Sequence, residues 1–263
     1  MKSILVPTDF SETASNAVRY AAAFCKDYNL ELNLLHVMHV PIVDANAPVS
    51  LADTMMDNER KSTTEKLQKI AAQLVEQYGV GVNLHADFGL GSEVIIEKSE
   101  KLGVDVIVMG TSGESGFIRS LLGSVTESVV GWSKIPVFAV PKEANYTGFQ
   151  VAVLGNDHKE DVSQEMKNTY ELVRKYRARL DVVSVQPGRE HYVQEIVCEE
   201  GGIREVSVWA KTVQVGLQTY MDKEKASLLV LKHHSRNFIQ ELFQTSTTKE
   251  LLKECTIPLY IYN

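Results

Sequence analysis

The chain has 263 residues, 44% hydrophobic and 23% charged, with 16 Gly and 7 Pro. That mix excludes a disordered chain, a collagen and a coiled coil, and the length suits two domains of ordinary size. Lys and Arg number 27 against 34 Asp and Glu, a net charge of −7, so no global field draws the protein to nucleic acid or to an anionic membrane.

No apolar run reaches the ~18 residues of a membrane span. The apolar start at 4–6 meets Pro7 and Asp9 too soon to form a secretion-signal core. Cys25, Cys198 and Cys255 are far apart and in no CxxC spacing, which predicts reduced core thiols in a cytoplasmic protein, neither a disulfide frame nor a zinc site.

Residues 4–6 form a β-branched apolar run ending at Pro7, Thr8 and Asp9. Ala14, Ala17, Val18, Ala21, Ala22 and Cys25 then trace one helical face, with Ser11 as the expected N-cap. The alternation continues with strands at 32–37, 82–86, 104–109 and 137–140, and helices at 53–78, 93–102 and 124–132. In the Gly89-Leu90-Gly91 turn, Ser92 is the expected cap of the 93–102 helix. Apolar strands separated by helices predict an open, doubly wound parallel sheet covered on both faces. The pattern then restarts: Val151 to Leu154 followed by Asp157 echoes Ile4 to Val6 followed by Asp9, and Ile135-Pro136 returns as Ile257-Pro258. An internal duplication follows, with domains at 1–143 and 148–263 and a polar linker at 142–147. The second copy is shortened where the first has its long helix, the 189–198 segment standing there and His191 falling at a helix start.

Residues 109–126 carry the chemistry. They begin at the carboxyl end of the fourth strand, where doubly wound sheets hold ligands, and end at a helix start. Gly110, Gly113 and Gly116 are expected to take positive φ and to approach a ligand without a Cβ in the way. Gly123, Ser124, Val125 and Thr126 offer helix-start N–H groups and two hydroxyls, an anion site suited to phosphate. No Lys precedes Ser124 as a Walker A loop requires, and no GxGxxG follows the first strand.

The spacing G-x2-G-x9-G-[S/T] at Gly110, Gly113 and Gly123-Ser124 resembles the ATP-binding signature of the universal stress protein family. The opening at Val6 to Ser11, the Leu34-Leu35-His36-Val37 strand and the closing Ile135-Pro136-Val137 fit it too, so the whole resembles a tandem member. The resemblance implies two Rossmann-like domains of the adenine nucleotide alpha hydrolase type and ATP as ligand, with or without Mg2+. By the same resemblance Asp9 would face the adenosine, Pro7 and Thr8 would shape its pocket, and the Val37 backbone would meet the adenine edge. The 110–116 loop with Thr111 would wrap ribose and phosphates, and residues 123–126 would hold the triphosphate. Arg119, inside the loop, is a further candidate for a phosphate.

In the second copy the glycines are replaced by Lys232, Ser235, Phe238 and Thr245, with only Ser246 and Thr248 echoing Ser124 and Thr126. That copy is expected not to bind ATP in the same way. The family's last strand commonly pairs with a partner domain, so 137–140 and 259–262 are expected to pair inside one chain as a pseudo-dimer, with a homodimer as an alternative.

The histidines form no metal spacing and read as structural or exposed, except His233-His234, which follows the fourth strand of the second copy at its ligand end and is a minor candidate for a metal or anion site, with Lys232 beside it counting against a metal. Met55-Met56 reads as core packing, and Asp57, Lys61, Glu65 and Lys69 as a solvated helix face. Glu114 is the only carboxylate in the loop, which favours a nucleotide-responsive regulatory or stress-resistance protein over a slow ATPase, a nucleotidyl transferase or a non-binding scaffold.

Overall fold

A computed structural model describes residues 1–41, 49–111, 123–156, 163–174, 177–232 and 257–262. Its first half runs β1 (Ser3–Pro7), α1 (Glu12–Tyr28), β2 (Glu31–Met38), α2 (Val49–Tyr78), β3 (Val82–Phe88), α3 (Gly91–Leu102), β4 (Val106–Gly110), α4 (Ser124–Trp132) and β5 (Val137–Val140). The second runs β6 (Val151–Asn156), α5 (Ser163–Val173), β7 (Arg179–Pro187), β8 (Val193–Glu200), β9 (Ile203–Ala210), α6 (Val213–Glu224), β10 (Leu228–Lys232) and β11 (Leu259–Tyr262). All described strands join one 11-stranded sheet in the order β3-β2-β1-β4-β5-β11-β10-β6-β7-β9-β8. Pairing is parallel except at β5–β11 and β8–β9. The expected doubly wound α/β halves are present, with apolar cores on both faces of the sheet.

Ser11 caps α1 as expected, its hydroxyl accepting from the Ala14 N–H at 3.1 Å. Ser92 does not cap α3. The helix begins at Gly91 after an extended Leu90, and Ser92 lies in its first turn. The second copy also departs from expectation at 189–198. His191 lies in a bend before β8, a strand that returns into β9 through Gly201 and Gly202, both at positive φ (59° and 86°). Two central residues with positive φ make the tight hairpin turn that matches strand twist.

In the first half α2 links β2 to β3 and packs on both, whereas in the second the link from β7 to β9 is the strand β8 and holds no helix. The sequence of β9 accommodates this: Val206, Val208 and Ala210 are buried toward α6, whereas Glu205 is exposed and Ser207 and Trp209 are half-buried. Alternation of this kind belongs to a sheet with one solvated face. Of the expected core thiols, Cys25 is buried and its pKa is pushed up to about 12 by that burial, but Cys198 is exposed on β8.

The two halves meet where Leu259, Tyr260 and Ile261 pair with Ala139, Phe138 and Val137. Phe138 is 1% exposed and packs against Tyr20, Phe24, Phe149 and Tyr260, at centroid distances of 4.9–6.2 Å. Tyr28 of α1 donates to the Leu172 carbonyl of α5 at 2.6 Å. The 142–147 linker is docked on α1: Asn16 donates to the Pro141 and Ala144 carbonyls, and Tyr146 donates to Asp27 at 2.9 Å. Farther out, the fully buried Asp181 accepts two bonds from Arg179 and one from the Tyr220 hydroxyl.

Two measurements test this arrangement. Phe138→Ala should cost about 3–5 kcal/mol through lost burial and a cavity, and should shift one unfolding transition shared by both halves; two resolved transitions with only one shifted would contradict a joined core. His85 of β3 contacts Asn33 at 3.1 Å, and its pKa lies below the ordinary histidine value through burial and then the charge of Lys98, against the pull of Asp87. A depressed folded pKa means that the unfolded chain binds the proton more readily, so this contribution to stability is full above about pH 6.5 and is lost as pH falls. Denaturation midpoints across pH 5–8 should carry that slope in the wild type and lose it in His85→Gln.

Candidate functional site

The strand order sets the position of the cleft. From β1 the chain proceeds to β2 and β3 on one side, then returns to place β4 and β5 on the other. Connections leaving the carboxyl ends of β1 and β4 therefore diverge and open a crevice, the ligand position of open α/β sheets. A cavity of about 330 Å³ lies there, at the small end of the roughly 300–1,000 Å³ usual for small-molecule sites.

Its lining brings together Pro7, Thr8, Asp9, Val37, Gly110, Gly123, Ser124, Val125 and Thr126 from the expected set. Met109, the first residue of the 109–126 segment, lines it too, and sequence reasoning missed Ala14, Leu35, His36, His39, Gly91 and Ile95 as further lining residues. Thr111 is buried next to the cleft, its N–H donating to the Val140 carbonyl at 3.1 Å. Gly113, Gly116, Glu114, Arg119, Asp157, His233 and His234 lie outside the described residues.

Three kinds of surface meet in the cavity. Leu35, Val37, Ile95, Met109 and Ala14 supply an apolar slot. The turn after β1 supplies a carboxylate: Asp9 is exposed, and its Oδ1 accepts from the Ser11 N–H at 3.0 Å. The third is the start of α4. Gly123 caps that helix with extended backbone (φ −57°, ψ 156°), and its own N–H donates to the Thr111 carbonyl. No side chain caps α4 among the described residues, and Ser124, Val125 and Thr126 all line the cavity. Their N–H groups belong to the helix's unsatisfied first turn and carry its positive dipole end.

Three expectations need correction. Gly110 is not at positive φ. It is required because α1 crosses β4 closely: a Cβ there would stand 2.8 Å from Thr13 Cγ2 and 3.1 Å from the Thr13 carbonyl carbon and oxygen. Thr126 is 5% exposed, and its hydroxyl donates to the Gly110 carbonyl at 2.9 Å. Its proton is already engaged, so the free donors at this helix start are backbone N–H groups and the exposed Ser124 hydroxyl. Met55 is 43% exposed and Met56 half-buried, so this pair on the outer turns of α2 is not core packing. The solvated face reading holds, with Asp57, Lys61, Glu65 and Lys69 all exposed.

Among the described residues no group of three His, Cys, Asp or Glu is placed to hold a metal ion, and no helix is long and apolar enough to cross a membrane.

Residues 1–141 and 159–263 each match the model of the universal stress protein family. Two universal stress proteins of Methanocaldococcus jannaschii are 34% and 33% identical to this chain over 144 and 156 residues; each match spans 54% of this chain, and 82% and 96% of the relative. The crystal structure of a universal stress protein from Archaeoglobus fulgidus aligns over 99% of this chain and 98% of its own, with a TM-score of 0.71 at 18% identity. A putative universal stress protein from Pseudomonas aeruginosa aligns over 100% and 93%, with a TM-score of 0.61 at 14% identity. At those identities the likeness is one of fold, over both halves together. Family matches to both halves and the shared architecture make the chain a tandem, two-domain member of the universal stress protein family.

Proposed function

We propose that the first half binds ATP in the cleft between β1 and β4, and that the protein is a nucleotide-responsive regulatory or stress-resistance protein. The observation that carries this reading is the convergence of an apolar slot, a carboxylate and an uncapped helix start in one cavity. An adenine ring suits the slot of Leu35, Val37, Ile95 and Met109, with a backbone edge at Val37 to satisfy its polar rim. Asp9 suits the ribose hydroxyls as an acceptor. The N–H groups of Ser124, Val125 and Thr126, with the Ser124 hydroxyl, suit phosphate oxygens. The residues present therefore fit the nucleotide that the family resemblance implies, with Gly110, Thr111, Gly113 and Gly116 as the enclosing loop and Mg2+ as an optional companion of the phosphates.

In this reading the domains are 1–143 and 148–263, and the second supports the first as the other member of a pseudo-dimer joined through β5 and β11. It does not take ATP in the same way, because Lys232 occupies the position of Gly110: each is the last residue of its strand, paired with Val140 in one half and Tyr262 in the other. ATP supplies binding free energy, which regulates only if one of two protein states binds it more tightly.

Calorimetry with ATP and Mg2+ tests the proposal. The expected result is one ATP per chain, with Asp9→Ala weaker by roughly 10–100-fold, the loss of a hydrogen bond to a charged group, and Gly113→Val not binding. ADP assayed in the same samples separates holding from hydrolysis. No binding by the wild type, or two equivalent sites, would overturn the proposal.

A further inference from the structure

We propose that His36 is a positioning residue for this cleft: it holds the turn after β1 that presents Asp9 to the ligand. The identity of that ligand rests on the nucleotide reading above, whereas the link between His36 and the turn rests on geometry alone.

Register explains why such a residue is needed. Leu35 pairs with Pro7, the last residue of β1, and the Thr8 N–H still donates to the Leu35 carbonyl at 2.8 Å. Beyond that bond the chain leaves the ladder, and side chains take over from the backbone. The Thr8 hydroxyl accepts from the Phe10 N–H at 3.1 Å, and Asp9 accepts from the Ser11 N–H at 3.0 Å. His36, one residue past the last ladder pair, closes the arrangement with Nδ1 at 2.7 Å from the Thr8 carbonyl oxygen. A carbonyl only accepts, so Nδ1 carries the hydrogen and the neutral ring is the Nδ1–H tautomer.

The peptide whose carbonyl is held in this way is the one that leads into Asp9, so fixing its orientation fixes where the carboxylate starts. His36 acts a second time through Phe10. That residue is at φ +66°, the left-handed region that a bulky side chain rarely adopts. Its ring lies against the His36 ring at a centroid distance of 4.4 Å and an angle of 31°, and Lys66 Nζ stands 5.2 Å from its centroid. The strained residue is thus held by packing, and strain next to a ligand site persists only where its surroundings over-determine it. His36 also lines the cavity, so the device sits at the binding surface.

The test compares His36→Leu and His36→Asn, singly and with Asp9→Ala. An Asn side chain places an amide donor close to where Nδ1 stands; Leu has none. With ATP and Mg2+ in calorimetry, His36→Leu is expected to weaken binding about 3–10-fold, the worth of one hydrogen bond, and His36→Asn to restore most of it. In the Asp9→Ala background His36→Leu should add less than about 2-fold, since its effect passes through Asp9. Wild-type affinity in His36→Leu, or a full additional loss in the Asp9→Ala background, would overturn the proposal. If His36→Leu does not fold, His36→Asn against His36→Asp keeps the comparison, because an ionised Asp cannot donate to the carbonyl. A ligand-free readout separates the two readings: 15N NMR of the His36 ring should report the Nδ1–H tautomer, and an Nε2–H tautomer would overturn the link whether or not ATP binds. Absence of ATP binding by a wild type that shows the Nδ1–H tautomer would overturn the nucleotide reading while supporting the link between His36 and the turn.

Discussion

The reversal of strand order between β1 and β4 is the constraint from which the cleft follows. Two parallel neighbours whose onward connections run to opposite sides leave their carboxyl ends uncovered, and the chain need only furnish the opening. It does so with short local devices. Ser11 starts α1 and supplies the N–H that Asp9 accepts, so one turn serves helix and cleft together. On the other strand the Thr126 hydroxyl reaches back to the Gly110 carbonyl and the Gly123 N–H to the Thr111 carbonyl, which ties the start of α4 to the end of β4. A helix dipole is useful to a ligand only if the helix is held in place, and these two bonds hold it.

The antiparallel seam between β5 and β11 addresses a different problem. An open sheet of five strands has two edges, and each exposed edge is a template for unwanted pairing. Joining the halves edge to edge covers one edge of each. What remains is β3 at one end and β8 at the other. The second of these has a register irregularity between Ile196 and Cys198 and carries Glu195 and Glu199, the kind of bulge and charge that discourages further pairing. The seam is reinforced by an aromatic cluster drawn from α1, β5, the linker and β11, so residues distant in sequence share one core.

Most of this was legible because the inner strands are buried on both faces and appear as short β-branched runs, and because α1 has an apolar stripe with Ser at its cap. The misses have separate physical origins. The β8–β9 hairpin was signalled by Gly201-Gly202 between two strand-like runs, a signal overridden by the expectation of a shortened helix. The Gly110 requirement is a packing requirement of α1, and single-strand reading carries no information about which helix will cross. The His36 contact to Thr8 is a register effect, visible only once β1 and β2 are aligned, and the engaged Thr126 hydroxyl depends on how the start of α4 seats on the end of β4. Met55 and Met56 were misplaced because a 30-residue α2 is longer than the strands it covers, so its outer turns have no sheet beneath them. Asp181 was invisible for a similar reason: a lone Asp in an apolar run announces neither the two bonds from Arg179 nor the Tyr220 hydroxyl.

One close contact distinguishes the two halves. In the first, α1 packs across β4 and β5, and Gly110 permits it because no side chain separates that strand end from Thr13. In the second, the corresponding strand end is Lys232, and the described turns of α5 pack mainly on β7 and β6. A lysine Cβ at the Gly110 position would collide with a helix placed as α1 is, so substituting that glycine and shifting the helix are coupled changes. The sheet is indifferent to this, because its ladder depends on backbone and apolar strands alone. The ladder therefore places no demand on the side chain at the end of the fourth strand, and that residue differs between the halves: Gly110 in the first, Lys232 in the second.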